Sequence, residues 1–173
     1  MNETLNTIKN RRSTRKFNNK EISEDILNQI LEAGTYAPTG MNKQSPIIIC
    51  IKDKKIRNEI IKENACIGGF KEGFDPFYGA PIIILVIAKN IPTAVYDGSC
   101  VIENIMLAAT SLGVSSCWIH RAKEEIESPF GKNLLKKLNI EGDYIGIGHV
   151  ALGYSEEKTI ISKSLKDNWI YKI

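Results

Sequence analysis

An α+β fold class is predicted by three observations. Segments with apolar residues three and four apart, the period of a helix, are interspersed with short runs of consecutive β-branched residues, the mark of a strand. The chain has 173 residues, 43% of them apolar, which is enough to bury a core at the usual domain size of about 100–200 residues. No internal repeat, low-complexity tract or long Pro/Gly/Ser linker divides it, so one domain over 1–173 is expected.

The elements follow in order. Leu5 and Ile8 lie three apart on a short first helix, with Asn2 or Thr4 available near its start. A second helix is announced by Ser23 as N-cap, by Glu24 and Asp25 at the positive end of the dipole, and by the stripe Ile26, Leu27, Ile30 and Leu31. Gly34 loosens its end and Pro38 stops it. Ile47 to Ile51 is a strand, and Lys52 to Glu63 a surface helix with Ile56, Ile60 and Ile61 inward. Asn64 to Gly79 is rich in glycine and carries Phe70, Phe74, Phe77 and Tyr78, so a mobile, aromatic, pocket-lining loop is expected. Ala80 to Ala88 is continuously apolar, as a central strand covered on both faces must be. Tyr96 to Leu112 is a helix apolar on most sides, hence interior, and its Asn104 and Glu103 need partners. Val114 to Ile119 reads as a strand, Gly131 to Leu138 as a helix and Tyr144 to Gly153 as a strand. The tail from Ser164 carries Trp169 and Tyr171 with little of its own to pack against, which suits docking elsewhere, on another subunit for example.

Composition excludes several functions. A net charge of +3, from 23 basic and 20 acidic residues, is too balanced for a nucleic-acid surface. Cys50, Cys66, Cys100 and Cys117 are widely spaced with no Cys-x-x-Cys pair, which argues against a zinc site or disulfide framework and for buried free thiols in a reducing compartment. A polar start without a signal core, and no apolar run near the ~18 residues of a membrane span, give a cytoplasmic expectation with no membrane partner.

Two stretches carry chemistry. Asn10 to Phe17 places Arg11, Arg12, Arg15 and Lys16 around Ser13 and Thr14 and closes on an aromatic anchor. Forked guanidinium donors and a short hydroxyl suit phosphate oxygens, while the plain alternative is a solvated basic turn. Ala37 to Pro46 is a turn-rich loop with Asn42 and Gln44, whose amides each offer a donor and an acceptor to a planar polar ring; here too an ordinary surface turn competes. His120 and His149 each sit on or near a strand, and a satisfied structural role is the expectation for an isolated histidine there.

Together these stretches resemble the FMN-dependent nitroreductase family over nearly the whole chain. Arg11-Arg12-Ser13-Thr14-Arg15-Lys16-Phe17 is similar to the family's amino-terminal signature, and Ala37-Pro38-Thr39-Gly40-Met41-Asn42-Lys43-Gln44 to its Ala-Pro-Ser loop. Asp97, Asn104 to Ala109, Leu112-Gly113 and Cys117-Trp118-Ile119 resemble its central helix and following strand. The resemblance implies a three-layer, mixed but mainly antiparallel sheet flanked by helices, with the tail 164–173 exchanged between the subunits of a homodimer.

It also implies FMN as bound cofactor, with Arg11 and Ser13 on its phosphate and Arg12 nearby. Arg15 would lie along the flavin edge bearing N1 and O2, where a fixed guanidinium stabilises the charge of the reduced ring. Asn42 and Gln44 would lie beside the pyrimidine ring or ribityl chain, and Pro38, Thr39 and Gly40 would reach the other subunit's flavin. The Trp118-Ile119-His120 strand end would face N5, and Lys163 would supply a second phosphate-binding cation, in competition with Lys158 and Lys166. Relatives commonly have a glycine after that strand end, where this chain has His120.

The implied activity is hydride transfer from NADH or NADPH to a nitroaromatic, quinone or similar electron-poor acceptor by a ping-pong mechanism. The cofactor supplies the chemistry, so no side chain is assigned as acid or base. The alternatives are the same fold acting on another acceptor, by dehalogenation or enone reduction, and a flavin-binding storage or redox-sensing module without turnover.

Overall fold

The sheet is built around a strand that water never reaches. Residues Ile82 to Ala88 are all buried, and alternation along this strand sends Ile82, Ile84, Val86 and Ala88 into one apolar core and Ile83, Leu85 and Ile87 into another. In the computed structural model, which describes residues 2–156 and 164–173, the elements run α1 (Glu3–Asn10), α2 (Glu24–Thr35), a 3₁₀ turn (Gly40–Asn42), β1 (Pro46–Ile51), α3 (Lys54–Ile67), β2 (Ile82–Lys89), α4 (Ala94–Ser111), β3 (Ser115–Ile119), α5 (Ala122–Glu127), α6 (Pro129–Lys137) and β4 (Tyr144–Gly153). The strands lie in the order β1-β2-β4-β3, and each neighbouring pair is antiparallel. A parallel bridge from Ser13, which belongs to no named strand, to Ser116 of β3 gives the sheet its mixed character.

Helices cover both faces, which makes the expected α+β three-layer arrangement. One core joins the sheet to α2 and α4 through Leu27, Ile30, Ile102 and Ile105; the other joins it to α3, α5 and α6 through Ile60, Ile126, Leu134 and Leu135. The helix starts are set locally. Asn2 accepts from the amides of Thr4 and Leu5, Ser23 from Ile26, Asp53 from Ile56, and Ser128 from Gly131 with Pro129 beginning α6. Asn104 finds the partner its position demands, donating to the Ala33 carbonyl at 3.1 Å.

Several elements differ from the sequence reading. Helix α3 continues through Asn64 to Ile67, residues expected in the loop, and Phe77 from that same stretch is fully buried in the second core. Helix α5 has no counterpart in the sequence reading, because six residues are too few to display a period. Gly34 does more than loosen a helix end: a Cβ there would come within 2.8 Å of Ile48 and 2.9 Å of Ile105, so its absence lets α2 approach both the sheet and α4. The thiols are free as expected, but only Cys117 is buried; Cys50 and Cys100 are half-buried and Cys66 is exposed. Among the described residues no helix is long and apolar enough to cross a membrane, and no group of three or more potential metal ligands gathers. Leu165, Trp169, Ile170, Tyr171 and Ile173 in the tail are all exposed.

The tightest packing against backbone lies where β4 passes α5. A Cβ on Gly146 would sit 1.9 Å from the Ala122 carbonyl oxygen, a backbone atom with no rotamer to yield. Gly146→Ala is therefore expected to cost about 3 kcal/mol and to lower Tm by roughly 6–12 °C for a chain of this size, as read by a thermal melt.

Candidate functional site

The basic stretch becomes a site by docking on the open edge of β3. The Thr14 N–H donates to the Ser116 carbonyl at 3.0 Å, and the chain then turns so that the Phe17 N–H donates to the Tyr78 carbonyl at 3.3 Å and the Asn18 N–H to the Tyr154 carbonyl at 2.9 Å. Phe17, 6% exposed, anchors the turn in the core. Ser13 pairs with Ser116 of β3 in a parallel bridge, and the charges of Arg15 and Arg11 are felt at the neighbouring Cys117 thiol, so the stretch runs along the edge of that strand. Burial nonetheless pushes the Cys117 thiol above its ordinary range, with the arginines and Ser13 opposing that shift only in part. Arg11 also approaches Glu103 of α4 at 3.7 Å. Arg12 turns the other way, its Nη1 donating to the Lys9 and Arg11 carbonyls at 2.7 and 2.8 Å at the end of α1.

At its far end β3 enters a strained and well-braced corner. Arg121 has φ 78°, a left-handed backbone that favours glycine, and among the described residues its N–H has no hydrogen-bond partner. The corner is held from beneath by three buried polar residues from three elements. Asn64 of α3 donates to the His120 carbonyl at 2.8 Å and to Glu125 of α5. Glu125 lies 3.0 Å from Nε2 of His149 on β4, a contact not aligned as a hydrogen bond, and Phe77 meets His149 edge-on. The His120 side chain is exposed, Ile119 is buried with Cys117 in the core below, and the Trp118 indole packs on the opposite face against Gly148.

The amide loop is fixed separately. Asp97, 4% exposed near the start of α4, accepts from the Gly40 N–H at 2.9 Å and from the Thr93 hydroxyl at 2.9 Å. Thr39 Oγ1 accepts from the Gln44 N–H at 3.1 Å, and Gln44 Nε2 donates to Asn42 Oδ1 at 3.0 Å. Met41, Asn42 and Gln44 have φ of 53°, 53° and 47°, a local strain of roughly 1 kcal/mol or more each. Pro38, Met41, Asn42 and Gln44 are exposed and Thr39 and Gly40 half-buried, so the loop presents its polar groups outward.

Within one chain, then, the stretch carrying Arg11, Ser13 and Arg15 lies along the β3 edge, and no hydrogen bond among the described residues joins it to the loop 37–44. Lys163 and Lys158 lie outside the described residues; Lys166 stacks over Trp169 at 5.2 Å. The sequence reading missed the anchoring by Asp97 and the group of Asn64, Glu125 and His149. A lone aspartate opening a helix is an ordinary dipole partner, and three polar residues far apart in sequence give no pattern.

With this geometry in hand, comparison with known proteins is informative. The model of the nitroreductase family matches residues 8–154. A nitroreductase structure from Bacteroides fragilis with bound FMN is 34% identical, covers 100% of both chains and superposes with a TM-score of 0.89. One from Desulfitobacterium hafniense, also with bound FMN, is 30% identical over 100% of both chains with a TM-score of 0.88. An Archaeoglobus fulgidus protein, whose provisional name couples NADH dehydrogenase with NAD(P)H nitroreductase, is 30% identical over 91% of this chain and 88% of its own.

Two expectations follow from the anchors. Asp97→Ala removes the acceptor for the Gly40 amide and is expected to cost about 1–3 kcal/mol, seen as faster hydrogen exchange at Gly40 and a lower denaturation midpoint. For Cys117, the unfolded chain loses its thiol proton at a lower pH than the folded one, so this group's contribution is fully present below the ordinary thiol range and is lost as pH rises from that range through the raised value of the folded thiol. Cys117→Ala should flatten the alkaline fall in stability, measured by urea unfolding across that range.

Proposed function

Because the chain belongs to the nitroreductase family, we propose that it is an FMN-dependent oxidoreductase drawing electrons from NADH or NADPH. It passes them to nitroaromatic, quinone or similarly electron-poor acceptors in a ping-pong cycle. The carrying observation is the docking of the stretch holding Arg11, Ser13 and Arg15 on the open edge of β3, through Ser13 and Thr14 at Ser116, with an unengaged N–H at the strand's far end. Two guanidinium groups, a hydroxyl and a free amide form a donor set that fits an elongated ligand with a phosphate at one end and an acceptor-rich ring at the other. FMN is bound in the Bacteroides and Desulfitobacterium structures.

When bound, FMN supplies the hydride chemistry. The chain's residues hold and tune it. Arg11 and Ser13 take the phosphate, with Lys163 as a second cation. Arg12 contributes to that end less directly, since its guanidinium already serves two carbonyls. Arg15 places positive charge beside the ring edge that becomes anionic on reduction. The donor toward N5 comes from the strand end Trp118-Ile119-His120 and its corner. We place it at the Arg121 N–H, since the left-handed backbone, where relatives commonly have glycine, falls at Arg121 and not at His120.

Pro38, Thr39, Gly40, Asn42 and Gln44 complete the site of a homodimer from across the subunit boundary. The absence, among the described residues, of a hydrogen bond between them and the basic stretch supports that reading. Residues 1–173 act as one nitroreductase-like domain, and the tail 164–173 is exchanged with the partner, which would remove its exposed apolar side chains from water.

The absorption spectrum of the purified protein tests this reading. Flavin bands that bleach on adding reduced nicotinamide and return with an acceptor are expected. A protein without flavin bands and without FMN-stimulated oxidation of NADH or NADPH would falsify it, and bands that do not bleach would indicate storage or sensing without turnover. Arg15→Ala is expected to weaken FMN retention or slow reduction by about 1–3 kcal/mol, and Arg12→Ala by less, measured by fluorescence titration and stopped flow.

A further inference from the structure

We propose that Arg121 and the Phe70–Phe74 pair form the acceptor subsite, and that it selects flat aromatic acceptors bearing an anionic group, a carboxylate above all. This rests on the flavoenzyme reading above and adds to it the chemistry of the second substrate.

The subsite is a layered stack at the end of β3. The Arg121 guanidinium lies over the Phe70 ring at 4.8 Å, and the Phe70 and Phe74 ring centroids are 4.5 Å apart at an angle of 37°. Both rings are substantially exposed, at 39% and 42%. Gly68 makes the stack possible: a Cβ there would come within 2.6 Å of the Phe70 ring and 3.0 Å of Arg121 Nε. Two aromatic rings held together yet left facing water form a platform for a third planar group.

The cation on this platform is held in place and unpaired. Among the described residues, the Arg121 guanidinium takes part in no hydrogen bond and no ion pair. Its backbone is fixed on both sides, with the Glu125 N–H donating to the Arg121 carbonyl at 3.1 Å and Asn64 donating to the His120 carbonyl at 2.8 Å. A long side chain at φ 78° is strained where glycine would not be, and such strain points to a use for the side chain. Stacking on Phe70 orients the guanidinium and leaves its N–H edge to grip a carboxylate with two parallel hydrogen bonds.

Position relates the stack to the cofactor cradle. The loop 68–79 starts from the stack at Arg121, and near its other end the Tyr78 carbonyl accepts from the Phe17 N–H, so the loop connects the stack to the end of the basic stretch. Arg121 lies five residues along the chain from Ser116, about 16 Å if extended. A ligand with its phosphate at the cradle would bring its ring end toward the stack.

The test compares 4-nitrobenzoate with its uncharged near-isostere 4-nitrobenzyl alcohol as acceptors for the FMN-loaded protein, and titrates benzoate into the oxidised holoenzyme by flavin absorbance. Wild type is expected to prefer the carboxylate in kcat/KM and to bind benzoate less tightly as salt rises. Arg121→Gln should lower the preference ratio and the benzoate affinity roughly tenfold each, with Arg121→Lys between. FMN-loaded wild type with no preference, or benzoate binding indifferent to both Arg121→Gln and salt, would overturn the subsite alone; the salt titration decides should Arg121→Gln lose its flavin. An effect confined to KM for NADPH relative to NADH would place the anion on the reductant and overturn the assignment to the acceptor. Wild-type protein that retains no FMN overturns the functional reading and the subsite together.

Discussion

The backbone contact from the Thr14 amide to the Ser116 carbonyl orders a run of charges along the edge of the sheet. An edge strand leaves its backbone groups unpaired, and β3 is such a strand. By pairing there, the chain after α1 partly covers the edge and surrenders its own freedom. Arginines on a hydrated coil would each sweep many positions, whereas here the backbone that carries Arg11 and Arg15 is pinned at Thr14 and at Phe17. Burial of Phe17 supplies the apolar contribution to this docking, which explains why the basic stretch closes on an aromatic residue.

The opposite end of β3 is fixed by different means. Asn64, Glu125 and His149 are all but inaccessible to water in an otherwise apolar core, where burying polar groups is costly; Asn64 offsets part of that cost by donating to Glu125 and to the His120 carbonyl. Their arrangement couples α3, α5 and β4 to the carbonyl of His120, bracing the residue before the left-handed Arg121. The cradle end thus rests on sheet pairing and an apolar anchor, and the corner on a buried polar group. Between them lies a surface with little left to reorganise, a property that would preserve the binding free energy of a ligand.

Helix α4 is the frame to which both functional stretches fasten. Asp97 holds the amide loop and Glu103 approaches Arg11, six residues and about 9 Å apart along the axis. Asn104 ties the same helix to the end of α2. The two stretches are therefore positioned relative to each other through a rigid element, with no hydrogen bond joining them among the described residues. This is consistent with a site completed by a second copy of the chain.

The amino-acid sequence by itself determined the local grammar: Ser23 as a cap, the α2 stripe, β2 as a strand buried on both faces, β4 from Tyr144 to Gly153, and the identity of the two chemistry-bearing stretches. Each depends on residues within a turn or two, where period and capping chemistry leave a pattern. Only the tertiary structure decided that Ser13 lies beside Ser116, that Arg12 turns away from its neighbours, that Gly40 hangs from Asp97, and that Asn64 meets Glu125 across 61 positions. It also drew Phe77 into the core while leaving Phe70 and Phe74 at the surface. Contacts of that range are chosen by how the helices and the sheet pack together, and no short window of residues records the outcome.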